Sequence, residues 1–166
     1  TVMVTDGGVF TLKGGTIESI KNYTVGVYGS TTPGADPIES KVFIEGGYQI
    51  GPEGGPGVFG NGAYLKVSDG VIVGTDNAAV AGNGTNDAST TYGGTAIDIA
   101  GGTIIGHIVS SGYIACGIYH PQAGALNISG GTIYADGGVG VLMRGGTLDM
   151  TGGTVIASGS SQGKVG

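Results

Sequence analysis

Tryptophan is absent from this 166-residue chain, cysteine occurs once, proline only five times, and Arg144 is the sole arginine. A single cysteine permits no internal disulfide, so redox chemistry does not fix the compartment. Cys116 lies in an apolar strand context, YIACGIY, which suits a small buried side chain better than a reactive thiol. Lys and Arg total 6 against 12 Asp and Glu, a net charge of −6. So sparse and acidic a surface is a poor partner for nucleic acid or an anionic membrane. No run of eighteen apolar residues would insert into a bilayer, and no signal-peptide pattern opens the chain. A sustained 3.6-residue period is missing, which argues against helix. Thr1 starts in mid-strand without an initiator Met, so the expectation is one domain over 1–166, a fragment of a longer protein.

Glycine is what the chain has in excess: 39 residues, without the strict triplet period of collagen. Hydrophobic residues make up 39% and are regularly patterned, so glycine punctuates turns here and does not dilute a disordered chain. The pattern is a phrase written six times: FTLKGGTIES from Phe10, VFIEGGYQIG from Val42, LKVSDGVIVG from Leu65, IDIAGGTIIG from Ile97, LNISGGTIYA from Leu126 and LDMTGGTVIA from Leu148. Repetition at such intervals marks a solenoid, in which each repeat buries its apolar face against the next.

Alignment of the phrases gives a first apolar column, Phe10, Val42, Leu65, Ile97, Leu126 and Leu148. A second follows two residues later: Leu12, Ile44, Val67, Ile99, Ile128 and Met150. Period-two spacing puts both columns on one face of a strand B. After the Gly-Gly turn, strand C directs Ile17, Gln49, Ile72, Ile104, Ile133 and Val155 to the same interior. A strand A precedes each B, around Val27, Val58, Val80, Ile118 and Val141, with Met3 supplying the first. Three strands per coil, a shortest coil near 22 residues and variable loops predict an all-β, three-sided right-handed parallel β-helix of about six coils. At about 4.8 Å per coil it would be about 29 Å long. The tight B-to-C corner calls for backbone conformations that a Cβ resists, and Asp69, in place of the first Gly of one copy, is among the side chains that tolerate them best.

Departures from the repeat carry the functional information. Two A-to-B connections are long, GSTTPGADPIESK from Gly29 and GNGTNDASTTYGG from Gly82, and the coil between them crosses the same corner with only Gly60 to Tyr64. Two projecting loops would frame a groove with Phe59, Asn61 and Tyr64 on its floor and Asp36, Glu39, Asn83, Asn86, Asp87 and Tyr92 on its walls. Functionless surface insertions are the alternative. Tyr28, Phe59 and Tyr119 each follow the inward residue of strand A. Facing outward they would offer flat apolar faces to a sugar ring; otherwise the chain bends and the rings pack over their neighbours.

The central outward column of strand B reads Thr11, Phe43, Lys66, Asp98, Asn127, Asp149. Stacked carboxylates can share a cation, but the intervening Asn favours a solvated ladder. No cofactor is required; Asp76, Asn77, Asn83, Asn86 and Asp87 would suit calcium without the ordered spacing of an EF-hand. The outer face of strand C (Tyr48, Ile50, Val71, Val73, Thr103, Ile105, Thr132, Tyr134, Thr154, Ile156) is a Thr/aliphatic array. It calls for cover by the parent chain or self-association ahead of an ice-binding plane. His107 and His120 lie in different loop types, and no motif pairs either with a nucleophile, so no catalytic residue is assigned. Sequons at Asn22, Asn83 and Asn127 matter only in a glycosylating host.

The phrases ALNISGGTIYADGGVGV and LDMTGGTVIASG resemble the repeats of glycine-rich parallel β-helix surface proteins of Gram-positive bacteria, often gut or cellulolytic species. Some members of that broad group bind plant polysaccharide and hold calcium. The resemblance spans most of the chain but is a scaffold signature, and it carries no family binding residue onto any position here. Similar coils occur in pectate lyases and phage tailspikes, and fold does not imply function. The expectation is therefore a non-catalytic extracellular or cell-surface domain of an adhesin or appendage that binds polysaccharide or glycan. A structural stalk or fibre segment is the first alternative. A polysaccharide lyase or hydrolase fragment is the second, disfavoured by six Lys and Arg residues in all.

Overall fold

The computed structural model describes residues 1–29, 39–82, 95–109, 115–120 and 124–158. Among them the chain is all strand and turn, without helix. The first repeat contributes β1 (Val2–Val4), β2 (Val9–Leu12) and β3 (Thr16–Glu18). The second gives β4 (Val25–Tyr28) and β5 (Lys41–Glu53), and the third β6 (Val58–Asn61) and β7 (Tyr64–Thr75). The fourth gives β8 (Ala78–Ala81), β9 (Ala96–Ile99) and β10 (Thr103–His107). The fifth gives β11 (Cys116–His120), β12 (Ala125–Ile128) and β13 (Thr132–Asp136), and the sixth β14 (Val139–Met143), β15 (Thr147–Met150) and β16 (Thr154–Ser158).

Every pairing is parallel. Strands A form one sheet in the order β1-β4-β6-β8-β11-β14. Strands B and C share a second, curled sheet, because β5 and β7 run unbroken through the Gly-Gly corner and join the two limbs. The ladder slips locally there, between Ile44 and Glu45 and again before Tyr48. The arrangement is that of parallel strands stacked repeat on repeat, consistent with a β-helix or solenoid.

The apolar columns meet in the interior. Val42, Ile44, Leu65, Val67, Ile72, Ile97, Ile104, Leu126 and Ile133 are all fully buried. Strand pairing reproduces the expected registers of B and C residue for residue, for example Leu65 with Ile97 and Ile72 with Ile104. Gln49 is the exception in chemistry: its amide is fully buried between Ile17 and Ile72, with no hydrogen-bond partner for Oε1 or Nε2.

Strand A corrects two expectations. Val25, not Val27, pairs with Val58, and Val27 lies opposite Gly60. Both valines are fully buried, so a two-residue slip preserves the inward face. In the first repeat Val4 enters the core, while Met3 points out and is 64% exposed.

The turn glycines divide their work differently from expectation as well. In all six copies the second residue, Gly15, Gly47, Gly70, Gly102, Gly131 and Gly153, takes a positive φ between 77° and 94°. Asp69 occupies the first position, so it does not need a left-handed backbone; its carboxylate accepts the Gly70 N–H at 2.7 Å.

Candidate functional site

Pairing of strands B aligns Thr11, Phe43, Lys66, Asp98, Asn127 and Asp149 as one lateral row on the outer face of the sheet. Tyr64, two residues before Lys66, shares that face because side chains alternate along a strand. Its ring meets Phe43 edge-on, with centroids 5.9 Å apart. Its hydroxyl donates to Asp98 Oδ2 at 2.5 Å, and Asn127 Nδ2 donates to Asp98 Oδ1 at 2.8 Å. Asp98 thus joins three repeats by side-chain bonds. Burial, the hydrogen bond to Asp98, and the negative charges of Asp98 and Glu39 together hold the Tyr64 phenol up at about 12. Glu39 itself pairs with Lys41 at 3.2 Å. Asn127 and Asp149 remain exposed at the open end of the row.

The expected corner floor is partly assembled. Tyr28 and Phe59 come together, 5.8 Å between centroids, but as part of a cluster with Tyr23, which stacks on Phe59 at 5.5 Å and 14°. Tyr23 and Tyr28 hydroxyls hydrogen-bond at 2.6 Å. The rings therefore pack over one another, as in the alternative expected for them. Sequence reasoning passed over Tyr23 because it lies in a connection outside the repeated positions; its signal is Gly26, whose missing Cβ leaves room for the Tyr23 ring. Asn61 is buried opposite Tyr28 and serves the corner, accepting the Gly29 N–H through its carbonyl at 2.9 Å. Asp36, Asn83, Asn86, Asp87 and Tyr92, expected on the groove walls, lie outside the described residues.

Tyr119 lies apart from that cluster. Its row runs Ala81, Tyr119, Leu142, and Arg144 Nη1 donates to its hydroxyl at 3.2 Å. Tyr119, Leu142, Arg144, Asn77 and Cys116 line a shallow depression of about 230 Å³. Cys116 is 3% exposed, and burial pushes its thiol up to about 12, which leaves it a packing residue.

One side-chain hydrogen bond escaped the sequence. His107 Nδ1 lies 3.0 Å from Asp136 Oδ2, where β10 and β13 end side by side. The row Thr75, His107, Asp136, Ser158 follows from carrying the strand C columns a few residues further. His120 is fully buried and donates from Nε2 to the Thr95 carbonyl at 3.1 Å, which ties the end of β11 to the A-to-B corner of the preceding repeat. No cluster of three or more His, Cys, Asp or Glu suited to a metal occurs among the described residues. No helix there is long and apolar enough to cross a membrane. The chain matches no family model, no curated protein and no solved structure.

Proposed function

We propose that the chain is a three-sided right-handed parallel β-helix domain of a bacterial surface protein, adhesin or appendage, which binds polysaccharide or glycan outside the cell without cleaving it. The handedness follows the rule for parallel crossovers. The observation that carries the binding role is the outer face of strands B. There an aromatic pair, Phe43 and Tyr64, adjoins a carboxylate and an amide, Asp98 and Asn127, which are already held in place by mutual hydrogen bonds. Sugars are bound by such combinations: aromatic faces receive the C–H face of the ring, and planar polar groups meet its hydroxyls. Rigid strands hold these groups at the regular spacing of the repeats, which suits an extended polymer better than a small metabolite. The earlier corner residues Tyr28, Phe59 and Tyr119 then act mainly in packing, and Tyr64 is the one that joins corner and platform. No cation is needed on this account, although the acidic end of the row would tolerate calcium.

A structural stalk or fibre segment is the second reading, favoured by one observation. Every strand pairs in parallel with its counterparts in the adjacent repeats, a linear stacking that suits an extended rod.

Glycan-array retention combined with a reducing-sugar assay separates the three roles. Retention without cleavage is expected, and Tyr64→Ala or Asp98→Ala should weaken it about ten-fold, since one aromatic or charge-assisted contact is worth about 1–2 kcal/mol. Release of reducing ends would make the chain a lyase or hydrolase. Wild-type retention by both variants would remove the binding site from this face, and no retention at all would leave the stalk.

A further inference from the structure

Acidic residues outnumber Lys and Arg by 12 to 6, yet no carboxylate of a described residue pairs with Arg144, the sole arginine. The sheet of strands A explains this, because its six strands contain no Asp, Glu, Lys or Arg at all. Arg144 thus sets one permanent positive charge at the margin of an uncharged sheet.

The backbone fixes where that charge points. The Arg144 N–H donates to the His120 carbonyl at 2.9 Å, which carries the β11–β14 ladder one residue past β14. Val141 and Met143 pack against the interior, so alternation sends Leu142 and Arg144 to the outer face. Tyr119 and Leu142 pack there beside Cys116. Arg144 Nη1 donates to the Tyr119 hydroxyl at 3.2 Å, which uses one of the five N–H donors of the guanidinium. The Tyr119 oxygen accepts in that bond and so keeps its own proton to donate. Leu142 and Cys116 give the depression of about 230 Å³ its apolar lining. Asn77 completes it and is itself held, its Nδ2 donating to the Gly54 carbonyl and its Oδ1 accepting the Ala78 N–H.

We propose that this depression is a second subsite, for a pyranose that carries a carboxylate, such as a uronic or a sialic acid. The planar fork of Arg144 receives the carboxylate, which a lysine could meet only as a point charge. The Tyr119 hydroxyl donates to the same group, and the C–H face of the ring lies on Leu142. A space of about 230 Å³ is smaller than the usual drug-sized pocket and suits a single sugar ring. A phosphate ester is a poorer match, since its double charge calls for more than one cation. An acidic peptide could not add as a strand beside Tyr119, because β11 already pairs on both sides. The ring rests on the glycan reading and the carboxylate does not, and the site lies on a different sheet from Phe43, Tyr64 and Asp98.

Heteronuclear NMR titration of the whole chain tests the subsite, with methyl glucuronide, methyl sialoside, methyl glucoside, glucose phosphate and glutamate as probes. At least one of the two sugar acids should shift the amides of Tyr119, Leu142 and Arg144, and which one does so names the source of the carboxylate. Methyl glucoside should leave those amides in place. Arg144→Gln, at an exposed position, should weaken the sugar acid about ten-fold, as loss of a charge-assisted pair does. Arg144→Lys should restore only part of that, and Tyr64→Ala on the other sheet should change nothing. Equal shifts with methyl glucoside would overturn the proposal, because the carboxylate would not be read. Equal binding of glutamate or glucose phosphate would overturn it as well, by reducing the site to a general anion contact. Shifts confined to β5, β7 and β9 would place the acid on strands B, which keeps the glycan reading and removes this subsite. Shifts at Arg144 in a chain whose glycan retention ignores Tyr64→Ala would do the reverse.

Discussion

Tyr64 keeps its proton past the ordinary phenol range because it is partly removed from water and because its hydroxyl points at a carboxylate. The folded protein binds this proton more tightly than the unfolded chain, whose tyrosine titrates near 10.0. The associated stability is complete below pH 10 and is lost as pH rises through about 12. Absorbance titration of the tyrosinates should therefore show a late component that Tyr64→Phe deletes. Asp98→Asn should move that component only part of the way back, since burial is the larger cause. A Tyr64 midpoint near 10 would mean that the Tyr64–Asp98 contact does not form in solution. The sequence places Tyr64 at a corner and Asp98 in an outward column, and each placement holds. Their meeting was not legible, because it depends on a side chain reaching diagonally to the adjacent strand, past its own register partner Ala96.

At the scale of the element, the Gly-Gly turn is where the sequence says most and explains least. The phrase marks every B-to-C corner, and the two interior columns beside it are matched by the strand pairing throughout. Yet the two glycines answer different demands: both lie close against the turn of the repeat before, but only the second also needs a left-handed backbone. Only three-dimensional stacking reveals the demand they share. Strand A was less legible for a related reason. VGVY offers two valines of equal facing, so a slip of two residues costs nothing in pattern, and VMV is apolar on both faces. The distinction between the glycines can be measured. Gly130→Ala forces a Cβ into the Ala100 carbonyl and should destabilise by about 1–3 kcal/mol, as overpacking of a close contact does. Gly14→Ala, chemically the same change at the same place in the phrase, should leave the thermal midpoint of the dilute protein unchanged. Equal losses in the two variants would show that both glycines serve the turn itself and not the stack.

For the whole molecule, stability rests on neighbours. Each strand pairs only with its counterparts in the adjacent repeats, so no distant part of the chain can make up for a defect. The long connections expected to frame a groove fall largely outside the described residues, and the sequence remains the only guide to them. The interior is different, since it follows from the columns of strands B and C, which a one-residue register error would turn to the outer face. Ile99 is 1% exposed and lies between Val67 and Ile128 in the middle of the stack. Truncating a buried isoleucine costs about 2–5 kcal/mol. Ile99→Asp adds an unpaired charge to that loss, against a total stability of about 5–15 kcal/mol for a domain of ordinary size. Strands β7, β9 and β12 should then lose amide-exchange protection, and the thermal transition should fall steeply or vanish. The end repeats should be less affected, because they touch the defect only through their neighbours. Lys66→Asp, one repeat away on the outer face and half-buried, introduces the same carboxylate and should cost far less. If Ile99→Asp unfolded like the wild type, Ile99 would not be inside, and the register that aligns all six repeats would fall with it.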